Sequence, residues 1–483
     1  MKNIKVLLNY NFNLPDIADN DFESLFEKRR NDSCFAFVYQ KDNKIYAIRD
    51  HIGMVPLYFR FMDGEVKFST SLTALSDKTC NIDLEGLKYF IAFGTTRLKP
   101  LTQEVMIVPP GSVIKIDAVN RKTELIYRYK IKNLAQFTGN SLSDYVDRLD
   151  EIFMEAVGKT LKFNTVGLYL SGGIDSALTG IYLKKNGAKI NSYTSAPWGK
   201  NSSEIPFAKI NAEKIGVNSH YIDYLDGDKY PKIINNISRL YGSPHGTTTG
   251  MAVASLWDNT KINEEKQIYG AQGCDTITCS VSSQYISFFL EFFPKIVRLK
   301  LHDYMGGSLL KNYLSLITNG LVDDHEYLHD YLIPGMSKIS MLSLSGLYVA
   351  HTPSDGEVIS GPAVNNNILF SNPFYDIDLI KFFLSIPLRF RLKLVSQSKT
   401  KITIDKIIFR KLAERYLPKE LVWRKKGFTV SLNRSDKFSS TLSNLPDKIL
   451  DIPLKNQEMG FRAMLISGWC DSIGIRLNYN NRA

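Results

Sequence analysis

The chain has 483 residues, of which 44% are hydrophobic, 12% aromatic and 23% charged. At about 100 to 200 residues per domain this is room for two to four domains, and the composition excludes a disordered or low-complexity chain. Sixty Lys and Arg against 49 Asp and Glu give a net charge of +11, yet the densest basic runs (Arg121–Lys122, Lys184–Lys185, Arg424–Lys426) are short, so a nucleic-acid partner is not expected.

From Cys34 to about Lys130 the chain reads as short β-rich runs (CFAFVY, KIYAIR, VPLYFRF, EVKFST, SVIKID) broken by turn residues such as Asp42-Asn43 and Asp63-Gly64. One helix interrupts them over Leu84 to Phe93, with Leu84, Leu87, Phe90 and Ile91 at helical spacing. A polar linker follows over 136–143. Ser141 and Asp144 form a loose capping box that opens a helix burying Val146, Leu149, Ile152, Phe153, Ala156 and Val157. Beyond it the order becomes strand (Thr165 to Leu170), glycine turn (Ser171 to Ser176), helix (Ala177 to Asn186, stopped by Gly187) and strand (Ile190 to Thr194). Strands joined by helices of this length pair in parallel with right-handed crossovers, and ligands bind at their carboxyl ends. The aromatic-rich segment 285–331 is expected to form helices over that site. The expected fold class is therefore α/β, with an open parallel-sheet domain at 136–483 behind a β-rich domain at 1–135.

Cysteines at 34, 80, 274, 279 and 470 show no CxxC or CxxH spacing, which argues against a disulfide scaffold or zinc site and fits a reducing cytoplasm. No segment approaches the roughly 20 apolar residues of a membrane span, and the apolar run in MKNIKVLLNYNFNLPD is too short for a signal peptide. A soluble, cytoplasmic protein with no membrane partner is expected.

The segment VGLYLSGGIDSALTGIYL carries the chemistry. Gly172 and Gly173 let backbone amides approach an anion, Ser171 and Ser176 add hydroxyl donors, and the following helix contributes the positive end of its dipole. Asp175 would repel a bare phosphate, so its presence points to a bridging divalent cation such as Mg²⁺. The absence of GxxxxGK[ST] excludes a Walker loop.

SGGIDS with its flanking strand and helix resembles the pyrophosphate loop of ATP pyrophosphatases, and further blocks in order resemble the asparagine synthetase family over most of the chain. They are RDHIGMVPLYF (49–59), FSTSLTAL (68–75), VPPGSVIKI (108–116), the helix over 202–216 with Glu204, Ala208 and Ala212, SNPFYDIDLIKFFLSIP (371–387) and DKIIFRKLAERYLPKELVWRKKGF (405–428). The resemblance implies a ligase that binds ATP and Mg²⁺, adenylates a carboxylate with release of pyrophosphate, and lets ammonia or an amine displace AMP. It assigns Ser171, Gly172, Gly173, Asp175, Ser176, Thr194 and Gly273 to the nucleotide, Asp175 and Asp275 to the metal, and Lys426 to catalysis.

Two departures accompany the resemblance. The family's glutaminase domain begins with a Cys whose free amine is the base, whereas Met1-Lys2-Asn3 opens this sequence and Cys34 falls within a predicted strand, so the 1–135 domain is expected to be a truncated, inactive glutaminase-like remnant of the N-terminal nucleophile hydrolase type. In YGAQGCDTITC (269–279) Gln272 stands where the family carries a catalytic Glu or Tyr, and an amide can orient an amine without deprotonating it. His245, Asp355 and Glu357 are the candidate replacements. These features favour a specialised amide ligase closing a natural-product ring or amidating a small-molecule or peptide carboxylate, with a partner protein delivering a peptide, over an ammonia-dependent asparagine synthetase or a nucleotide-binding scaffold.

Overall fold

The computed structural model describes residues 4–5, 21–29, 34–41, 43–131, 137–196, 202, 204–225, 230–278, 340, 343–344, 347–348, 352–397, 400–424, 448–450, 452–455 and 457–475. The expected helices over 285–331, Lys426 and Cys279 lie outside the described residues.

The amino-terminal half is built on a five-stranded antiparallel sheet. Its strands are β1 (Ile4–Lys5), β2 (Ala36–Lys41), β3 (Lys44–Arg49), β7 (Ser112–Asp117) and β8 (Lys122–Arg128), in that spatial order. A smaller sheet joins β4 (Tyr58–Met62) to β5 (Glu65–Ser69) and β6 (Met106–Ile107). Helix α1 (Phe22–Lys28), which the sequence reading did not anticipate, buries Phe22, Leu25 and Phe26 against this half. Cys34 is buried just ahead of β2 rather than within it.

The RDHIGMVPLYF block proves to be a buried turn. The Asp50 carboxylate accepts from the amides of Ile52, Gly53, Met54 and Val55, and Arg49 donates to the carbonyls of Gly53, Val55 and Val108. Both Asp50 oxygens and all three Arg49 nitrogens thus bond to backbone, which is how two such groups are tolerated in a core. Gly53 has φ 76°, and a Cβ there would lie 2.8 Å from the Pro110 side chain, so glycine is required at that position.

Helix α2 (Leu84–Phe93) matches its expected span, with Asp83 capping the Gly86 amide and Gly94 closing it at φ 71°. The carboxyl end of α2 is tied to distant chain: Arg462, on the helix Gln457–Ser472, donates to the carbonyls of Ile91, Ala92 and Gly246.

Helix α3 (Leu142–Thr160) opens on the Ser141–Asp144 capping box and buries all six expected apolar residues. The second half then runs β9 (Thr165–Tyr169), α4 (Ile174–Lys185), β10 (Lys189–Ala196), α5 (Ile205–Ile215), β11 (Ser219–Tyr224), α6 (Tyr230–Tyr241), α7 (Thr248–Asn259), β12 (Gln267–Tyr269), α8 (Cys274–Ile277), α9 (Glu357–Asn365), β13 (Leu369–Ser371), α10 (Ile377–Ser385), α11 (Ile407–Ala413) and α12 (Gln457–Ser472). Its sheet has the order β11-β10-β9-β12-β13, parallel throughout. Strand order reverses between β9 and β12, and such a switch point opens a crevice at the strands' carboxyl ends.

The halves are not packed as separate bodies. A second core joins Tyr58, Leu72, Leu87, Phe90 and Leu101 to Met459, Ile466 and Trp469 of α12, so the carboxyl-terminal helix completes the amino-terminal half. Among the described residues no helix is long and apolar enough to cross a membrane.

Candidate functional site

Adjacent parallel strands deliver their following loops to the same edge of the sheet, and β9 and β12 are neighbours with Ile268 opposite Gly167 and Tyr269 opposite Leu168. The glycine loop after β9 and the 270–275 loop after β12 therefore meet, although a hundred residues separate them in sequence.

After β9, Gly173 is the extended N-cap of α4, and the helix begins at Ile174 rather than at the expected Ala177. Asp175 and Ser176 consequently occupy the first helical turn. Within the loop the Ser171 amide donates to Ser176 Oγ (3.0 Å), the Gly173 amide to Ser171 Oγ (3.1 Å), and the two hydroxyls lie 3.0 Å apart. Its carbonyls are held from a neighbouring element: Asn211 Nδ2 donates to Ser171 O and Gly173 O, both of which Ser176 Oγ also approaches at 3.4 Å, and Arg424 Nη2 donates to Gly172 O at 2.8 Å.

After β12, the chain turns through Gln272 and Gly273 into the short helix α8. Gly273 has φ 95°, and a Cβ there would stand 2.7 Å from the Tyr375 ring. The turn is pinned by Asn372 Nδ2 donating to Gln272 O, while Gln272 Oε1 accepts from the Ala271 amide. Asp275 follows in the first turn of α8, as Asp175 does in α4.

Lys406 joins the two carboxylates. Its ammonium bonds Asp175 Oδ2 at 2.7 Å and also pairs with Asp275 Oδ1. The side chain enters from the residue before α11, where Lys406 adopts φ 54°. Burial alone would favour the neutral amine, but Asp175, Asp275 and Cys274 more than offset it and hold the Lys406 pKa well above the usual lysine value. Cys274 is fully buried beside this group, and burial raises its thiol pKa far above the ordinary range. The sequence reading matched Lys406 to a family block without giving it a site role; its position between the two aspartates is a tertiary fact.

Asp175 Oδ1 is buried and has no hydrogen-bond partner. An acceptor in that state beside a second carboxylate, bridged by a lysine ammonium, is a site built for positive charge. Two carboxylates with open positions suit Mg²⁺, which keeps waters and takes phosphate oxygens as its remaining ligands. Asp175 and Asp275 therefore fit the metal expected from the sequence; no cluster of three or more His, Cys, Asp or Glu ligands occurs among the described residues.

The remaining predicted residues fall in different places. Thr194 is buried on β10, its hydroxyl donating to Leu170 O at 2.6 Å and accepting from His220 Nε2 at 2.8 Å. It thus supports the residue ahead of the glycine loop. Burial, reinforced by Lys209, keeps His220 neutral to lower pH than usual.

His245 and Glu357 come together, fully buried, with His245 Nδ1 3.3 Å from Glu357 Oε2. Glu357 also accepts from Thr95 (2.5 Å) and Ser243 (3.1 Å), and Arg97 Nε lies 3.4 Å from Oε1. Burial opposes the Glu357 charge, but Arg97 and His245 outweigh it and lower the pKa. Both carboxylate oxygens are occupied, and the group links Thr95 and Arg97 of the first half to the second half. It is a buried junction rather than an open acid–base site. An open cleft of about 420 Å³ at the other end of the sheet, lined by Thr165, Asn191, Tyr193 and Glu265, faces the strands' amino-terminal ends and is remote from this chemistry.

An amidotransferase-like half joined to a parallel-sheet half that brings a glycine loop beside paired carboxylates defines a two-part class of protein. Residues 27–129 match the model of a glutamine amidotransferase domain, and residues 148–265 and 367–465 match that of asparagine synthase. The chain belongs to the asparagine synthetase family. A putative glutamine-hydrolyzing asparagine synthetase 2 of Methanocaldococcus jannaschii is 23% identical over 234 residues, covering 45% of this chain and 43% of that protein. Glutamine-hydrolyzing asparagine synthetase 1 of Bacillus subtilis is 24% identical over 189 residues, covering 38% and 29%. The chain thus spans less than half the length of the curated relatives it matches. Residues 266–366, which carry Gln272, Gly273, Asp275 and Glu357, fall between the matched stretches.

Proposed function

We propose that this chain is an ATP-dependent carbon–nitrogen ligase that adenylates a carboxylate, releases pyrophosphate and passes the acyl group to ammonia or to a substrate amine. The observation that carries the reading is the meeting of the SGGIDS loop with Asp175, Asp275 and Lys406 at the switch point of the parallel sheet. The loop amides and the α4 terminus would hold the leaving phosphates. A magnesium ion on Asp175 and Asp275 would supply charge neutralisation at the phosphate oxygens. Lys406, displaced from the aspartates, would supply positive charge to the same oxygens, and Lys426 is the proposed partner of the charge that develops during amine attack.

The nitrogen source in this reading is free ammonia or an amine. Cys34 and Cys80 of the amidotransferase-like half are both buried, which supports this reading because reactive cysteines are partly exposed thiolates. Gln272 supports a specialised substrate whose amine is oriented by hydrogen bonds, with a small-molecule or peptide carboxylate as its partner. The test is separation of nucleotide products and of glutamate after incubation with candidate carboxylates, ammonia and glutamine. AMP and pyrophosphate without glutamate are expected; ADP and phosphate would overturn the ligase reading, and glutamate above a buffer control would overturn the assignment of the nitrogen source.

A further inference from the structure

A loop that binds phosphate through its amides has to keep its carbonyls turned away, since a carbonyl oxygen facing a phosphate repels it. In this chain the three consecutive carbonyls of the loop are each held from behind. Asn211 Nδ2 donates to Ser171 O (3.0 Å) and Gly173 O (3.4 Å), and Arg424 Nη2 donates to Gly172 O (2.8 Å). The supports share one origin: Asn211 lies on α5, Arg424 stacks on Phe207 of the same helix with its guanidinium 3.7 Å from the ring centroid, and Arg424 also pairs with Glu204 at 3.3 Å. Residues 204, 207 and 211 recur at i, i+3 and i+7, which is one face of a helix. The contact is close enough that a Cβ on Gly172 would stand 2.8 Å from both Arg424 and Phe207. Asn211 is fully buried, and its Oδ1 has no hydrogen-bond partner. A core that accepts an unpaired amide oxygen gains something from the amide nitrogen.

We propose that Asn211 is a positioning residue of the pyrophosphate loop, which together with the Phe207- and Glu204-clamped Arg424 holds the carbonyls of residues 171–173 and so fixes the peptide planes of the loop that takes the β and γ phosphates. The inference rests on the proposed role of that loop. Asn211 touches no phosphate; it acts through the peptide planes it holds.

The experiment is calorimetric titration of the full chain, with magnesium present, by ATP, by inorganic pyrophosphate and by AMP, alongside melting curves. Asn211→Leu keeps shape, removes the donor and also removes the unpaired oxygen, so its melting temperature should stay close to wild type. Its affinity for ATP and for pyrophosphate should fall by about tenfold to a hundredfold while AMP affinity is unchanged. Arg424→Met should show the same split. Equal ATP and pyrophosphate affinity in Asn211→Leu, or a parallel loss of AMP, would overturn the proposal. If Asn211→Leu does not fold, Asn211→Asp, of the same size, carries the same expectation and the same refutation. Ser171→Ala separates this inference from the reading beneath it: unchanged pyrophosphate binding in Ser171→Ala removes the loop as the phosphate site and both fall, whereas weakened binding there with wild-type binding in Asn211→Leu leaves the loop in place and makes Asn211 a bystander.

Discussion

Lys406 Nζ lies 2.7 Å from Asp175 Oδ2, a bond across 231 positions of sequence, and the same ammonium pairs with Asp275. One lysine thus occupies the ground between the two carboxylates assigned to the metal. In the proposed reading a metal-bound polyphosphate would exchange that ammonium for the divalent cation, and the flexible four-carbon stem of Lys406 would let its charge turn to phosphate oxygens.

Asp175→Asn and Asp275→Asn should each weaken binding of magnesium ATP by at least about tenfold, or about 1.4 kcal/mol. Each removes one of two carboxylates, and Asp175, the less exposed, should show the larger loss. Metal-dependent nucleotide titration checks this, and wild-type affinity in either variant would remove that aspartate from the site.

Lys406→Met should destabilise the nucleotide-free protein by about 3 kcal/mol, because it leaves two neighbouring carboxylates with no shared cation. Addition of magnesium ATP should restore part of the loss. Melting curves with and without the metal nucleotide measure both effects; an unchanged melting temperature without nucleotide would show that the bridge contributes nothing to the fold.

Lys426→Met should lower single-turnover amide formation by about 10²–10³, the usual cost of removing one charge that stabilises a transition state in a water-poor site. ATP affinity and melting temperature should hold. A surface lysine with no role would leave turnover at the wild-type rate.

Arg97→Met should cost about 3–5 kcal/mol, since it takes the guanidinium charge away from the buried Glu357 carboxylate and removes donors to Met54 O and Ser360 Oγ. Because Thr95 and Arg97 belong to the first half and Ser243, His245 and Glu357 to the second, the halves should lose cooperativity together in denaturant, with a changed slope as well as midpoint.

His51 provides a pH test. It is buried, with Nε2 2.9 Å from Phe26 O and its ring edge-on to Phe26, Phe35 and Tyr129. Burial, helped by Lys381 and opposed by the Phe26 carbonyl, lowers its pKa to about 4. Between that value and about 6.5 the unfolded state binds the proton and the folded state does not, so stability rises with pH across this window and is lost as pH falls through it. The loss should approach about 3 kcal/mol in chemical denaturation series, and His51→Gln should flatten it.

Local chemistry was legible from the sequence wherever the cause was local. The α2 span followed from the 3.6-residue spacing of Leu84, Leu87, Phe90 and Ile91, and the α3 boundary from Ser141 and Asp144, because caps and amphipathic faces are set by residues within one or two turns. The SGGIDS loop could be read for the same reason: glycines, hydroxyls and a helix start within six residues define an anion cradle wherever they occur. The early start of α4 was missed because Gly173 takes an extended N-cap conformation that its sequence does not announce. Tertiary structure alone decided the rest. Asp175, Asp275 and Lys406 converge because β9 and β12 are sheet neighbours and α11 packs on α3 and α4, and no spacing rule links positions so far apart. His245 and Glu357, candidate bases when read singly, became a fully partnered junction with Arg97 once the halves were packed. Asn211 carries no motif of its own, and the 405–428 block that contains Arg424 does not announce its contact, since the proposed function of both is to hold backbone carbonyls whose positions exist only in the folded chain.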